Sequence, residues 1–214
     1  MAEVEQFAQL AERHGVSVIG LHAHSGSGIF DADNWAQVAS RLLGLAQRFP
    51  QLATIDVGGG LGVPDGPEQL GLSLTQLDTA LLAMRQNRPG VALWIEPGRF
   101  LVAAAGALIA RVTQIKSKDE VHYVGIATGM NSLIRPALYG SWHEIVNLTR
   151  LDEPATEIVN VVGPICESAD FLGHDRLLPP TRAGDVLLIA NAGAYGYAMS
   201  SRYNLREPAQ EFVL

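Results

Sequence analysis

Cysteine occurs once in this chain, at Cys166, so no disulfide can form within it. Lysine is almost as scarce: Lys116 and Lys118, both in QIKSKDE, are the only two. Acidic side chains outnumber basic ones, 22 to 15, and the pI falls near 5.3. A phosphate backbone selects clustered cations, so no nucleic-acid partner is expected. Long apolar runs are missing as well. FLVAAAGALIA, residues 100–110, is the longest and falls short of the roughly 20 residues that span a bilayer, so no membrane partner is expected. The opening MAEVEQFAQLAERHG is acidic and amphipathic, without the basic and apolar regions of a signal peptide, which places the protein in the cytoplasm. No internal repeat, linker or low-complexity tract interrupts the chain. What remains is a globular sequence, 48% hydrophobic over 214 residues, long enough for a real core in one large domain or two small ones.

Apolar residues at Val4, Phe7, Ala8, Leu10 and Ala11 predict a helix over 3–14, and VSVIGLHA a buried strand after it. Asp31 or Asp33 caps a second helix through NWAQVASRLLGLAQRF, stopped at Pro50 and followed by the strand LATIDV. Ser73 opens a third helix, LTQLDTALLAMRQN, ahead of the strand VALWIEP. Helices alternating with strands over short connections predict a parallel α/β sheet or barrel. After residue 106 the pattern changes. ALIARVTQIKS, VHYVGIA, HEIVNLTRL, TEIVNVVGP and GDVLLIANAG read as strands between Gly, Pro and Asp turns, with hardly any helical period. The reading is therefore α/β over 1–106 and an all-β domain over 107–214. A closed (β/α) barrel needs eight strands and about 250 residues of its own, so the first region is expected to begin in mid-barrel.

Functional groups in such folds sit at the C-terminal ends of parallel strands. All three strands end in polar or glycine-rich sequence: HAHSGSG, DVGGGLG and EPGR. His22 and His24 suggest a metal pair, but a third ligand is not spaced nearby, and no metal is assigned. A nucleophilic Ser25 or Ser27 lacks the Gly-x-Ser-x-Gly elbow that would activate it. Gly58, Gly59 and Gly60 suggest backbone that approaches a phosphate closely, with SGSG as a second cradle, although a glycine run is as often a tight turn. Glu96 ends an apolar strand, where a carboxylate needs a cation or donor. Arg99 is one such partner, and a protonated pyridine nitrogen is another.

HAHSGSG, DVGGG, EPGR, GMNSLIRPALYG, GPICESAD and NAGAYGYAMSSRYN resemble, in order and spacing, the motifs of the diaminopimelate decarboxylases, relatives of ornithine and arginine decarboxylases and of alanine racemase. The resemblance implies the C-terminal part of a pyridoxal 5'-phosphate-binding (β/α)8 barrel, followed by a β-barrel-like domain. It also implies a homodimer with shared active sites. By the same resemblance His24 stacks on the cofactor ring, Glu96 meets its nitrogen, and Ser27, Gly59, Gly60, Gly98, Arg99 and Tyr195 complete the cofactor shell. Arg99, Arg135, Tyr139, Glu167 and Tyr195 bind an amino-acid substrate: arginines take the distal carboxylate and Glu167 the distal ammonium. Cys166 joins Glu96 and His24 as a catalytic group, the thiol serving as proton donor. The plainer alternatives are a surface cation at Arg135, a core aromatic at Tyr139, an inert buried thiol at Cys166 and a loop-packing ring at Tyr195. Ser132 departs from the acidic residue that the family carries after MN.

The chemistry of this family requires a lysine amine linked to the cofactor aldehyde, on a strand that precedes HAHSGSG. Lys116 and Lys118 lie in what reads as a solvated hairpin end. The chain is thus expected to be the C-terminal portion of a lysine-forming decarboxylase, inactive alone. The alternatives are a non-catalytic homologue acting as a binding or regulatory module, and a fragment of another amino-acid decarboxylase or racemase.

Overall fold

The computed structural model describes every residue except Met1, Pro67 and Asn87. It divides into two compact units, Met1–Val63 with Leu70–Phe100, and Pro64–Gln69 with Leu101–Leu214.

In the first unit the expected alternation forms. Helices α1 (Ala2–Arg13), α2 (Asp33–Gly44) and α3 (Leu74–Gln86) precede strands β1 (Gly20–His22), β2 (Thr54–Asp56) and β3 (Ala92–Trp94). The strands are parallel in the order β1-β2-β3, with His22, Asp56 and Trp94 in one register row. They are shorter than the apolar stretches that predict them. Backbone bonds carry the sheet further: the N–H of Ala23 donates to Asp56 O, that of Val57 to Trp94 O and that of Glu96 to Gly58 O, each at 3.0 Å. Asp31 Oδ1 accepts the N–H of Asp33 at 3.0 Å, at the mouth of α2. Ser73 Oγ accepts that of Gln76 at 3.3 Å, as expected of a cap. The expected end of the third helix at Asn87 lies outside the described residues. Trp35, Val38, Ala39 and Leu42 form one stripe of α2 and pack with Leu21, Ile55, Leu77 and Leu93. Side chains alternate along a strand, so His22, Asp56 and Trp94 fall on the face away from that core.

The second unit is a six-stranded mixed sheet of β4 (Leu108–Lys118), β5 (Val121–Ile126), β6 (Ile145–Asn147), β7 (Glu157–Val162), β8 (Phe171–Leu178) and β9 (Val186–Ile189). The order is β6-β9-β4-β5-β7-β8, and β5–β7 is its parallel pair. A register shift between Val112 and Gln114 lets the first half of β4 pair with β9 and the second half with β5. The end strands β6 and β8 approach each other, so the sheet is barrel-like. Its interior holds Val112, Ile126, Val161, Leu172, Leu187 and Ile189, all sealed from solvent. Burying each such side chain contributes about 1.5–3 kcal/mol.

Two elements here differ from the sequence reading. β8 is absent from that reading because Gly173, the left-handed Asp175 (φ 49) and the register shifts of its pairing break the apolar alternation. A short helix, α4 (Arg135–Tyr139), forms where hardly any helix is expected. Pro136 sits in its first turn and Gly140, at φ 64, closes it. Among the described residues no helix is long and apolar enough to cross a membrane.

Candidate active site

Three loops leave the C-terminal ends of β1, β2 and β3, and glycine lets them touch. Gly58 (φ 72) and Gly60 (φ 86) are left-handed. A Cβ at Gly58 would lie 2.8 Å from Ala23 O, one at Gly59 would strike the Glu96 carbonyl, and one at Gly60 would strike the Gly26 carbonyl. The close approach that the glycine run predicts is therefore made by the protein's own strand ends. Gly59 becomes the joint of the site. Its N–H donates to His24 Nδ1 at 3.2 Å, which fixes that ring and leaves the proton of the neutral imidazole on Nε2. Its carbonyl accepts the indole N–H of the fully buried Trp35 at 3.0 Å. Ser25 Oγ accepts from the Asn34 amide at 2.7 Å. Gly28 lies beside Arg99: a Cβ there would stand 3.7 Å from the guanidinium Nη2.

The two histidines of HAH go to different partners. His22 Nε2 stands 3.2 Å from Glu96 Oε2, an imidazole partner that the sequence reading does not name for this carboxylate. Asp56 joins them, with ligand atoms of His22, Asp56 and Glu96 within 4.8 Å of one another. Asp56 Oδ1 is engaged by the Gly58 N–H at 2.9 Å. Trp35, Asn34 and Asp56 have no role in the sequence reading, and no local spacing reveals them; His22 enters it only as half of a metal pair with His24.

In the second unit Arg135 is no surface cation: it is 9% exposed. Its Nη2 donates to Ser141 Oγ at 3.0 Å. Its guanidinium carbon stands 5.7 Å from the Tyr139 ring centroid and 6.0 Å from that of Tyr195, within cation–π range. Tyr139 and Tyr195 are both more than half exposed, so neither is a core ring, and Tyr195 holds a left-handed φ of 58. Cys166 is exposed rather than buried. Its N–H donates to Asn204 Oδ1 at 2.8 Å, and the neighbouring Glu167 Oε2 accepts from the Tyr203 hydroxyl at 3.0 Å. That bond to Glu167, and the charge behind it, push the Tyr203 phenol above its ordinary range. Ser132 has a full set of contacts despite its departure from the family: its hydroxyl pairs with Thr128 Oγ1 at 2.5 Å and accepts the N–H of Ala209 at 2.8 Å.

Residues 17–193 match the family described as pyridoxal-dependent decarboxylase, C-terminal sheet domain. The chain belongs to this family. Among curated proteins, the chain is 38% identical to the diaminopimelate decarboxylase of Methanothermobacter thermautotrophicus, over 99% of the chain and 52% of the relative. To that of Pseudomonas aeruginosa it is 38% identical, over 97% of the chain and 50% of the relative. It therefore spans about half the length of the curated relatives it matches. A solved diaminopimelate decarboxylase of Helicobacter pylori, complexed with L-lysine, superposes with a TM-score of 0.83 at 31% identity, covering 95% of this chain and 51% of that one. A lysine/ornithine decarboxylase of Vibrio vulnificus gives a TM-score of 0.83 at 21% identity, over 96% of this chain and 56% of that one, a likeness of fold alone. The fold is thus that of the family: part of a (β/α)8 barrel followed by a β-barrel-like domain.

Proposed function

We propose that the chain is the C-terminal portion of a diaminopimelate decarboxylase, which removes the carboxylate at the D-centre of meso-diaminopimelate to give L-lysine and CO2. The observation that carries this reading is the joining of His24, Gly59 and Glu96 at adjacent strand ends. An imidazole face, tight backbone and a carboxylate there match a ring, a phosphate and a pyridine nitrogen, so the donor set fits pyridoxal 5'-phosphate. When bound, that cofactor supplies an electron sink for the bond that loses CO2. His24 packs against the ring, and Glu96 holds the proton at the pyridine nitrogen. Ser27, Gly60 and Arg99 bind the phosphate with Tyr195. Gly59 and Gly98 give their N–H groups to His24 and to the Glu96 carbonyl and so shape the cradle.

Arg99, Arg135 and Tyr139 take the distal carboxylate, a bidentate match for guanidinium. Glu167 takes the distal ammonium, and Cys166 delivers the proton to the carbon that has lost CO2. Cys166 and Glu167 serve the partner subunit's site in a homodimer. Lys116 and Lys118, on β4, take no part, and the anchoring amine belongs to the full-length protein. A single thiol and a soluble amino-acid substrate suit the cytoplasm.

Assay of the full-length protein with cofactor and meso-diaminopimelate tests the reading, through lysine formed and CO2 released. Arg135→Ala is expected to lower kcat/KM on diaminopimelate by roughly 10²-fold or more, the effect of losing a buried charge-assisted pair. The loss should be far smaller on an amino acid without the distal carboxylate. Equal losses on both would remove Arg135 from that role.

A further inference from the structure

Two loops of the second unit meet on one buried carboxylate. Asp170 is 3% exposed. Its Oδ1 accepts the N–H of Met130 at 2.6 Å and its Oδ2 that of Ile165 at 2.7 Å. Two glycines make room for it, since a Cβ at Gly129 or Gly163 would run into the carboxylate. The backbone closes the same turn: Gly163 N–H donates to Asp170 O at 3.0 Å, Asp170 N–H to Glu167 O at 3.2 Å, and Glu167 N–H to Ile165 O at 2.8 Å. Cys166 and Glu167 lie between the points of attachment. Burial pushes the Asp170 carboxyl above its ordinary range, against the pull of its two N–H donors and the charge of Arg206. A carboxylate kept where burial opposes it is a poor source of stability, but two opposed acceptors fix two turns at a set distance.

We propose that Asp170 is the positioning residue for Cys166 and Glu167, its two oxygens strapping the 163–167 turn to the 129–132 turn. It touches neither substrate nor cofactor. The strap stands on geometry alone, while its effect on catalysis rests on the function proposed above.

The test uses the full-length protein. Asp170→Asn keeps the shape but sets an NH2 against one of the two backbone N–H groups. Amide exchange at Met130 or Ile165 is expected to quicken by about ten-fold or more, the effect of losing a charge-assisted hydrogen bond, with β7 protection unchanged. Turnover should report the same shift: kcat falls and KM rises, each by roughly ten-fold, because misaiming a thiol and a carboxylate affects both quantities. Tyr203→Phe, which frees Glu167 alone, should raise KM and spare kcat. A variant that melts earlier but keeps wild-type kcat and KM would overturn the positioning role.

Should Asp170→Asn fail to fold, the wild-type protein decides. Met130 and Ile165 amides protected like those of β7 support the strap, and exchange at open-loop rates removes it. A wild-type enzyme inactive on diaminopimelate would defeat the proposed function, while the exchange measurement still reads the strap.

Discussion

The first unit covers its three strands on one side. Helices α2 and α3 pack over Leu21, Ile55 and Leu93, while Gly20, His22, Ala92 and Trp94 on the opposite face are exposed, the indole to 60%. The second unit curls its strands until β6 and β8 approach and leaves its interior dry. Parallel sheets occur almost only with both faces covered, so the bare face of the first unit is a surface built to be covered. Its chemistry, His22 and Glu96, lies on or beside that surface. The second unit instead mounts its functional loops on a scaffold that completes itself. Under the proposed function, the ring and its nitrogen would be met from a surface that needs covering, whereas Cys166 and Glu167 would be held on a sheet that covers its own interior.

The sharpest way to break this contrast is to ask the 214 residues to work alone. No lysine should form from meso-diaminopimelate, and borohydride reduction with pyridoxal phosphate should leave no stoichiometric pyridoxyl group on Lys116 or Lys118 when the peptides are mapped. Turnover by the isolated chain would show that the open unit suffices. A second test compares the two cores. Leu187→Ala, at a sealed position, should cost about 2–5 kcal/mol in denaturant unfolding. Leu93→Ala, on the half-covered sheet, should cost less than about 2 kcal/mol, and equal costs would erase the distinction.

The smallest effect concerns pH. His143 is buried, donates Nδ1–H to Ala190 O at 2.8 Å, and has no partner for Nε2 among the described residues. Burial, and then the charges of Arg135 and Arg176, hold its imidazole below the ordinary range, against the opposing pull of the Ala190 bond and of Asp65. The folded protein therefore takes up this proton less readily than the unfolded chain. Its contribution to stability is present above the ordinary histidine value, about 6.5, and drains away as pH falls below it. His143→Gln should flatten that part of the stability profile for the second unit, read by thermal melts between pH 7.5 and about 5. An unchanged slope would show that other groups set it.

What the sequence disclosed follows the range of its forces. Strand ends carrying HAHSGSG, DVGGG and EPGR were legible because helical period and apolar runs are local, and they place all three motifs at one end of the sheet. The links between them were not. His22 meets Glu96 across 74 positions, at the ends of parallel strands, and Trp35 reaches Gly59 across 24, from a helix packed over the sheet. β8 escaped because FLGHDRLL loses its alternation at Gly173 and Asp175, where a left-handed residue and a shifted register stand in for the period of two. Asp170 lay in plain view at the end of GPICESAD, but nothing in that string tells that its carboxylate faces the amide of Met130.

Strand β9 has a consequence for how the molecule is made. It comes last among the strands yet sits inside the sheet, pairing with the first half of β4 on one side and with β6 on the other. A chain leaving the ribosome from its N-terminus exposes β4 and β6 long before residues 186–189 arrive to join them. Unpaired edges of this kind are what chaperones shield and what neighbouring nascent chains capture. The ladders β4–β5, β5–β7 and β7–β8 need nothing from β9, but β6 has no ladder partner until it arrives, so closure of the sheet waits for residues 186–189, and a message cut short before them is expected to yield a product with open edges.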